Sequence, residues 1–506
     1  MTFTPDRLRS VRAVYRRRGD GRTRGDITYA VYVGFLALLT VAAPWCWGIG
    51  LTLAQPSLLS ILTDPNADHM VGVVCGLVLA GLAASGAVRG PALLSPFFTA
   101  VLAGNDLPRS RTLRRPFIQS AALLTGILMG VALLASTVPV TTGIASAWNG
   151  MAFVAAAGCF GVLGSVTWLS GQVLGDKHAG RLTAGLLIAS LFTWTIPTLG
   201  VLAPWGWVGR LWMTGSSVNL WVLAGLLLVT AAAAMRVSKL LNSLTGTALM
   251  DQSLRWQAAG VSAFVGDAAA AALGSFRAQP QWGRTWPAAT CNHAAVRFFV
   301  RDFIGTLRTP KRFMTGIIFL LLGNLTLVLG PSLLGMPAWL LGGMGGGLCY
   351  LALGVFSDGF RHAAEAASAP PLYKYSNTQL YALHAVFPLV VTLACSVIVT
   401  ASVAVTGVPV SAAAVGISVL IVIVRAYDSA KSPLPVSLLT PMPSQFGDMS
   451  TVTVLAWQAD ALLVSLAAGA GLLALTSSGS LLAATTLLAG AALVILATTK
   501  RRIRSQ

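Results

Sequence analysis

The chain has 506 residues, 55% hydrophobic and only 10% charged, with a formal net charge of +19. A soluble domain carries about 25% charged residues, so this composition excludes a soluble globular domain and indicates a membrane protein. In a soluble protein the +19 would suggest a nucleic-acid partner; here it follows from the collection of Lys and Arg in cytoplasmic loops, and no nucleic acid is implied.

The start is polar as far as Asp26, and the apolar segment after it is too long for the core of a signal peptide, which predicts a retained span. Leu8, Val11 and Tyr15 share one helical face, with Arg9, Arg12, Arg16, Arg17 and Arg18 around it, so a basic amphipathic helix is expected ahead of that span. A membrane helix needs about 20 mostly apolar residues with no lone charge at its centre. That test predicts spans at 27–48, 70–88, 117–138, 151–174, 182–202 and 218–234, then at 314–329, 336–356, 385–405, 408–424, 457–475 and 481–499. The expected fold class is an all-α polytopic membrane protein with 12 transmembrane helices in two six-helix halves.

Loop charges orient it. With the N-terminus inside, the loops predicted outside contain one basic residue, Arg210, and the other 33 of the 34 Lys and Arg fall on the cytoplasmic side. Both termini are therefore expected to be cytoplasmic. Trp45, Trp47, Trp148, Trp205, Trp207, Trp212, Trp221 and Trp339 lie near outer span ends and read as headgroup-level anchors. Small-residue spacing at Gly342 and Gly346, at Gly343 and Gly347, and at Gly469 and Gly471 suits close helix packing. Of the six Cys, five lie in or beside apolar segments; no spacing suggests a metal site or a disulfide framework.

The polar stretch 235–311 separates the halves. Inside it, 258–275 is apolar enough to resemble a short span, but Asp267 sits near its middle, and a crossing there would invert the second half; a cytoplasmic helix or hairpin is expected instead. Its last part, 295–309, carries Val296, Phe299, Val300, Phe303, Ile304 and Leu307 at helical spacing, with Arg297, Arg301 and Arg308 toward the polar side. This predicts an interfacial helix with its rings in lipid and its cations at acidic headgroups. The expected domains are a first half at 1–238, a joint at 239–293 and a second half at 294–506.

No Walker-type G-x-x-x-x-G-K-[ST] motif occurs, so the chain carries no P-loop. The predicted span centres hold no Asp, Glu, Lys or Arg, with Asp460 expected in the first inner turn of its helix. Ion-driven carriers place ionisable groups near the midplane, so a transporter built this way draws its energy from elsewhere, most simply from a separate ATPase. The loop after span two offers a docking surface: a short apolar helix at 94–102 with Phe97 and Phe98, ended by Gly104-Asn105-Asp106. The matching second-half loop holds Glu365, the only Glu in the chain.

Two six-span halves with amphipathic lead-in helices and cytoplasmic helices between spans two and three resemble the permeases of ABC exporters of the ABC-2-type membrane class. The stretches Gly90-Pro91-Ala92-Leu93-Leu94-Ser95-Pro96 and Ser432-Pro433-Leu434-Pro435-Val436-Ser437-Leu438-Leu439-Thr440-Pro441-Met442-Pro443 are similar, more narrowly, to an actinobacterial family of such twelve-span proteins. The first stretch follows span two and the second follows span ten, which leaves the second-half docking loop open. The resemblance implies a non-enzymatic permease of the bacterial cytoplasmic membrane, without a cofactor or metal of its own. Two P-loop ATPase subunits binding ATP-Mg would energise it, and both halves would form a path for a hydrophobic or amphipathic small molecule, peptide or lipid.

Two other classes stand as alternatives. One is a secondary carrier of the major facilitator kind. The other is a membrane glycosyltransferase using Asp64, Asp68 and His69 in the first outer loop, although Asp64-Pro65-Asn66 reads as a turn.

Overall fold

The computed structural model of the chain describes residues 62–264 except 104–107 and 215–218, and residues 292–504 except 330–336, 368–374 and short stretches between 406 and 449; elsewhere only isolated residues are described. Two compact units result, Met1–Gln257 and Ala258–Gln506. The regular secondary structure among the described residues is helical apart from an antiparallel pair of two-residue strands, Pro443–Ser444 and Gly447–Asp448.

The first unit contains α1 (Ala67–Val88), α2 (Arg114–Thr141), α3 (Ala147–Thr195), α4 (Pro204–Arg210), α5 (Leu220–Met235), α6 (Val237–Ser243) and the first part of α7 (Gly246–Phe264), which runs past Gln257. Side-chain caps start two of them. Ser146 accepts from the Asn149 amide at 3.1 Å, and Asn219 accepts from the Val222 amide at 3.3 Å. Gly175 breaks α3 at φ 63°, a left-handed conformation that favours glycine. The core of the unit forms where α1 lies against α3. A Cβ at Gly86 would overlap the Trp168 carbonyl, and one at Gly171 would overlap that of Ala83.

The second unit contains α8 (Ala294–Leu307), α9 (Pro310–Leu329), α10 (Ala338–Phe356), α11 (Asp358–Ala367), α12 (Asn377–Val405), α13 (Ala413–Ser429), α14 (Ser450–Ser477) and α15 (Leu481–Arg504). Its apolar core runs through Leu320, Leu353, Phe356, Phe387, Ile417 and Ile421. A polar cluster centred on Asn324 sits inside it. Asn324 Oδ1 accepts from Ser396 Oγ at 2.6 Å and Ser418 Oγ at 2.9 Å, and its amide donates to the Leu320 carbonyl at 2.8 Å. Three helices thereby satisfy one buried amide, which would otherwise carry a desolvation cost.

Nine helices among the described residues are long and apolar enough to cross a membrane, so the protein is a multi-pass membrane protein. The twelve expected spans differ from these at three places. Residues 27–48 and the preceding amphipathic segment lie outside the described residues. Across 182–202 the helix stops at Thr195, and Pro197 opens a 3-10 turn to Val201. Of the expected span 408–424, residues 413–424 fall on α13, whose 17 residues reach about 26 Å at 1.5 Å per residue, short of a hydrocarbon layer of about 30 Å. Part of 258–275 lies on α7, and the rest lies outside the described residues.

The expected small-residue packing has a definite partner in α14. A Cβ at Gly342 would overlap the Gly469 carbonyl, one at Gly469 would overlap that of Gly342, and one at Gly346 would overlap that of Ser465. Gly343 differs: its Cβ would meet Leu466 and Ala470 at 3.6 and 3.7 Å, ordinary contact distances. Gly469→Ala should therefore lower stability by roughly 1–3 kcal/mol, the usual range for overpacking, whereas Gly343→Ala should leave it unchanged. Thermal unfolding of the two variants in detergent measures the contrast.

Candidate functional site

Charged residues gather at one end of the second unit's helices and join six of them into a network. Arg312, near the start of α9, grips Asp358 with both terminal nitrogens, Nη2 at 2.9 Å from Oδ1, and Nη2 also donates to the Gly354 carbonyl at 2.8 Å. This bidentate clamp joins the start of α11 to α9. On α13, Arg425 donates to the Tyr350 carbonyl at 2.6 and 2.9 Å, stacks 3.7 Å over the Tyr350 ring and pairs with Asp428 at 3.3 Å. The Tyr350 hydroxyl donates to Asp428 at 2.9 Å.

A second knot lies around Asp460 of α14. Lys431 Nζ pairs with Asp460, donates to the Trp457 carbonyl at 2.7 Å and lies 4.7 Å over the Trp457 ring. The Tyr427 hydroxyl donates to Asp460 at 3.1 Å, and Arg502 of α15 donates to that hydroxyl at 2.8 Å. Helix α14 begins at Ser450, earlier than the expected span at 457, so Asp460 lies about three turns inside it and not in its first turn.

Arg361 adds a further cation on α11. Burial lowers its guanidinium from the usual value, and the Asp358 carboxylate opposes that shift. Together Arg312, Arg361, Arg425, Lys431 and Arg502 face Asp358, Asp428 and Asp460, which leaves the assembly net positive.

Helix α11 is the element this network positions. Phe360 and Ala363 are fully buried, with Phe360 stacked on Tyr381 at 5.9 Å. Glu365 is exposed at the other face, its carboxylate 3.7 Å from His362 Nδ1. Beneath α11, His384 Nδ1 lies 2.6 Å from Asp302 Oδ2; their side chains are only 2% and 7% exposed. Gly359 leaves the space for this pair, because a Cβ there would overlap both groups. Phe298 meets the His384 ring edge-on at 4.8 Å.

The predicted interfacial helix is α8. Phe299 and Phe303 contact Phe387 of α12 at 5.6 and 6.2 Å, so part of the expected apolar face is engaged within the unit. Val300, Ile304 and Leu307 are half-buried, and Arg297 and Arg301 are exposed. The most buried ring, Phe298, falls outside the predicted stripe; its signal was Asp302 at i+4, a carboxylate on an apolar helix that needs a partner.

In the first unit the docking loop begins with a helical turn, Pro96–Phe98, that passes into a π turn, Thr99–Ala103. Phe97 is exposed and meets Phe98 edge-on at 5.6 Å. Asn105 and Asp106 lie outside the described residues. The loop's root is braced by long-range bonds. Gln172 Oε1 accepts from the Ala92 amide at 3.3 Å, and its amide nitrogen donates to Gln252 at 3.0 Å. Trp168 and Trp256 donate to the Arg89 and Val88 carbonyls at 2.6 and 3.1 Å. A Cβ at Gly90 would overlap the Gln172 side chain.

No family model, curated protein or solved structure matches the chain. Its function is therefore argued from these residues.

The network makes a measurable demand. Lys431 is only 10% exposed, and removing one partner of a buried ion pair typically costs more than replacing both. Asp460→Leu should therefore destabilise the protein by about 2–4 kcal/mol. Lys431→Met combined with Asp460→Leu should lose less than the single change. Denaturant midpoints of the wild type, both single variants and the double variant form the required cycle.

Proposed function

We propose that the protein is the membrane subunit of an ATP-driven exporter, crossing the bacterial cytoplasmic membrane twelve times with both ends inside. A separate P-loop ATPase, in two copies, binds ATP-Mg and supplies the energy. The substrate class is hydrophobic or amphipathic. The observation that carries this reading is α11: a ten-residue helix with Phe360 and Ala363 locked into the unit's core, Asp358 clamped by Arg312, and His362 and Glu365 on its outer side. A helix held this way transmits a push from a soluble partner to α9 and α12 without bending.

The charge distribution supports the same reading. Ion-coupled carriers use ionisable groups near the bilayer midplane. Here Asp68, Arg114, Arg115, Lys311, Arg312 and Lys500 lie near the ends of the long apolar helices, and the inward exceptions, His384 and Asp460, are already paired with Asp302 and Lys431. Asp64 Oδ1 accepts the Asn66 amide at 2.7 Å, which agrees with the expected turn at Asp64-Pro65-Asn66.

The test is purification of the tagged full chain from its native membrane. An ATP-hydrolysing P-loop protein should come with it, while the chain alone should hydrolyse no ATP. Glu365→Lys combined with His362→Glu should lower the recovered ATPase activity at least tenfold without changing the melting temperature of the membrane subunit. Transport by the isolated chain in liposomes without ATP, abolished by a protonophore, would refute the proposal.

A further inference from the structure

A cavity of about 320 Å³ opens at the end of the first unit where α1 begins. Its walls include Asp68, His69, Thr193, Thr198, Trp205 and Arg210. Gly72, Gly200 and Gly206 also line it, so parts of the wall are bare backbone. A cavity of this size lies at the lower end of small-molecule sites, about 300–1,000 Å³.

Its charges are unusual for their lack of partners. Asp68 and Arg210 both line the space, yet neither makes an ion pair among the described residues. Asp68 Oδ1 accepts only the neighbouring His69 amide, at 2.6 Å. The His69 ring is held in place by stacking on Trp194 at 6.0 Å, and its Nε2 lies 3.4 Å from the Trp194 carbonyl. Arg210 is also the single basic residue predicted outside, where the orientation rule disfavours it. A carboxylate and a guanidinium facing one cavity without meeting each other suit a ligand that carries both opposite charges.

The rim indicates where such a ligand comes from. Trp194, Ile196 and Leu202 are exposed beside the cavity's Thr193, Pro197 and Gly200. Asp68 stands in the first turn of a membrane-long helix. Charged groups in a mixed wall, with exposed apolar residues next to it at a helix end, match the headgroup layer of a bilayer.

We propose that this cavity binds a phosphate–ammonium zwitterion of the phosphoethanolamine type, with the phosphate at Arg210 and the ammonium at Asp68. The headgroup of a phospholipid is the expected source, its chains lying along Trp194, Ile196 and Leu202. This inference rests on membrane embedding alone and is independent of what the protein transports.

Native mass spectrometry of the full chain, stripped of lipid in detergent, tests it. Phosphatidylethanolamine should be retained at one site with at least tenfold preference over phosphatidylglycerol, which lacks the ammonium. Asp68→Asn and Arg210→Gln should each weaken retention about tenfold, with lipid-free melting temperatures unchanged. Soluble phosphoethanolamine should compete weakly; if it competes as well as the lipid does, the zwitterion site stands and the lipid source is rejected. Equal retention of the two lipids by the wild-type protein overturns the proposal, and this arm does not depend on whether the variants fold. Unaltered retention in both variants overturns it as well.

Discussion

Moving an ionised side chain to the centre of a hydrocarbon layer costs on the order of 3 kcal/mol or more, and burying a charge without a partner is no better inside the protein. The long apolar helices obey this limit by carrying most of their ions at their ends. Where an ionisable group does lie deeper, a partner from another segment meets it: Lys431 meets Asp460, and Asp302 meets His384. The same limit explains why the buried amide of Asn324 in the second unit's core is met by the hydroxyls of Ser396 and Ser418.

Once charge is confined to the ends, cohesion between helices falls to close packing. Apolar side chains gain little by leaving lipid for protein, so helices associate through backbone approach at small residues. Gly86 and Gly171 provide this between α1 and α3, and Gly342, Gly346 and Gly469 between α10 and α14. The end networks then add direction. Arg312 fixes α11 to α9, while Asp460 gathers Lys431, Tyr427 and Arg502 from three other segments. Rigid helices joined at their ends by directional ionic contacts are suited to carrying a displacement from a peripheral element into the membrane layer.

Several features were legible in the residues. The membrane class, the nine long helices and the tight packing at Gly342 and Gly346 all agree with the hydropathy and spacing of the chain. Helix ends were less legible, since α12 and α14 run beyond their apolar stretches to Asn377 and Ser450. Polar residues there continue a helix when the protein supplies partners, and hydropathy does not register that. Among the expected Trp anchors, Trp148, Trp221 and Trp339 are exposed, but Trp212 is a core residue whose indole donates to the Leu62 carbonyl at 2.9 Å and whose ring meets Phe153 at 4.7 Å. Position near a span end does not distinguish the two roles.

The sequence alone determined that this chain lives in a membrane and which segments are apolar enough to enter it. Transfer from water to hydrocarbon is a nearly additive property of neighbouring residues, so a local reading suffices. Tertiary structure decided which charges neutralise each other, which glycines touch a backbone and which side chains wall a cavity. Asp302 and His384, Tyr350 and Asp428, and Asp68 and Arg210 are far apart along the chain, and no spacing rule connects them. Their meaning depends on geometry: the first two pairs meet in hydrogen bonds, whereas Asp68 and Arg210 share a cavity without forming an ion pair.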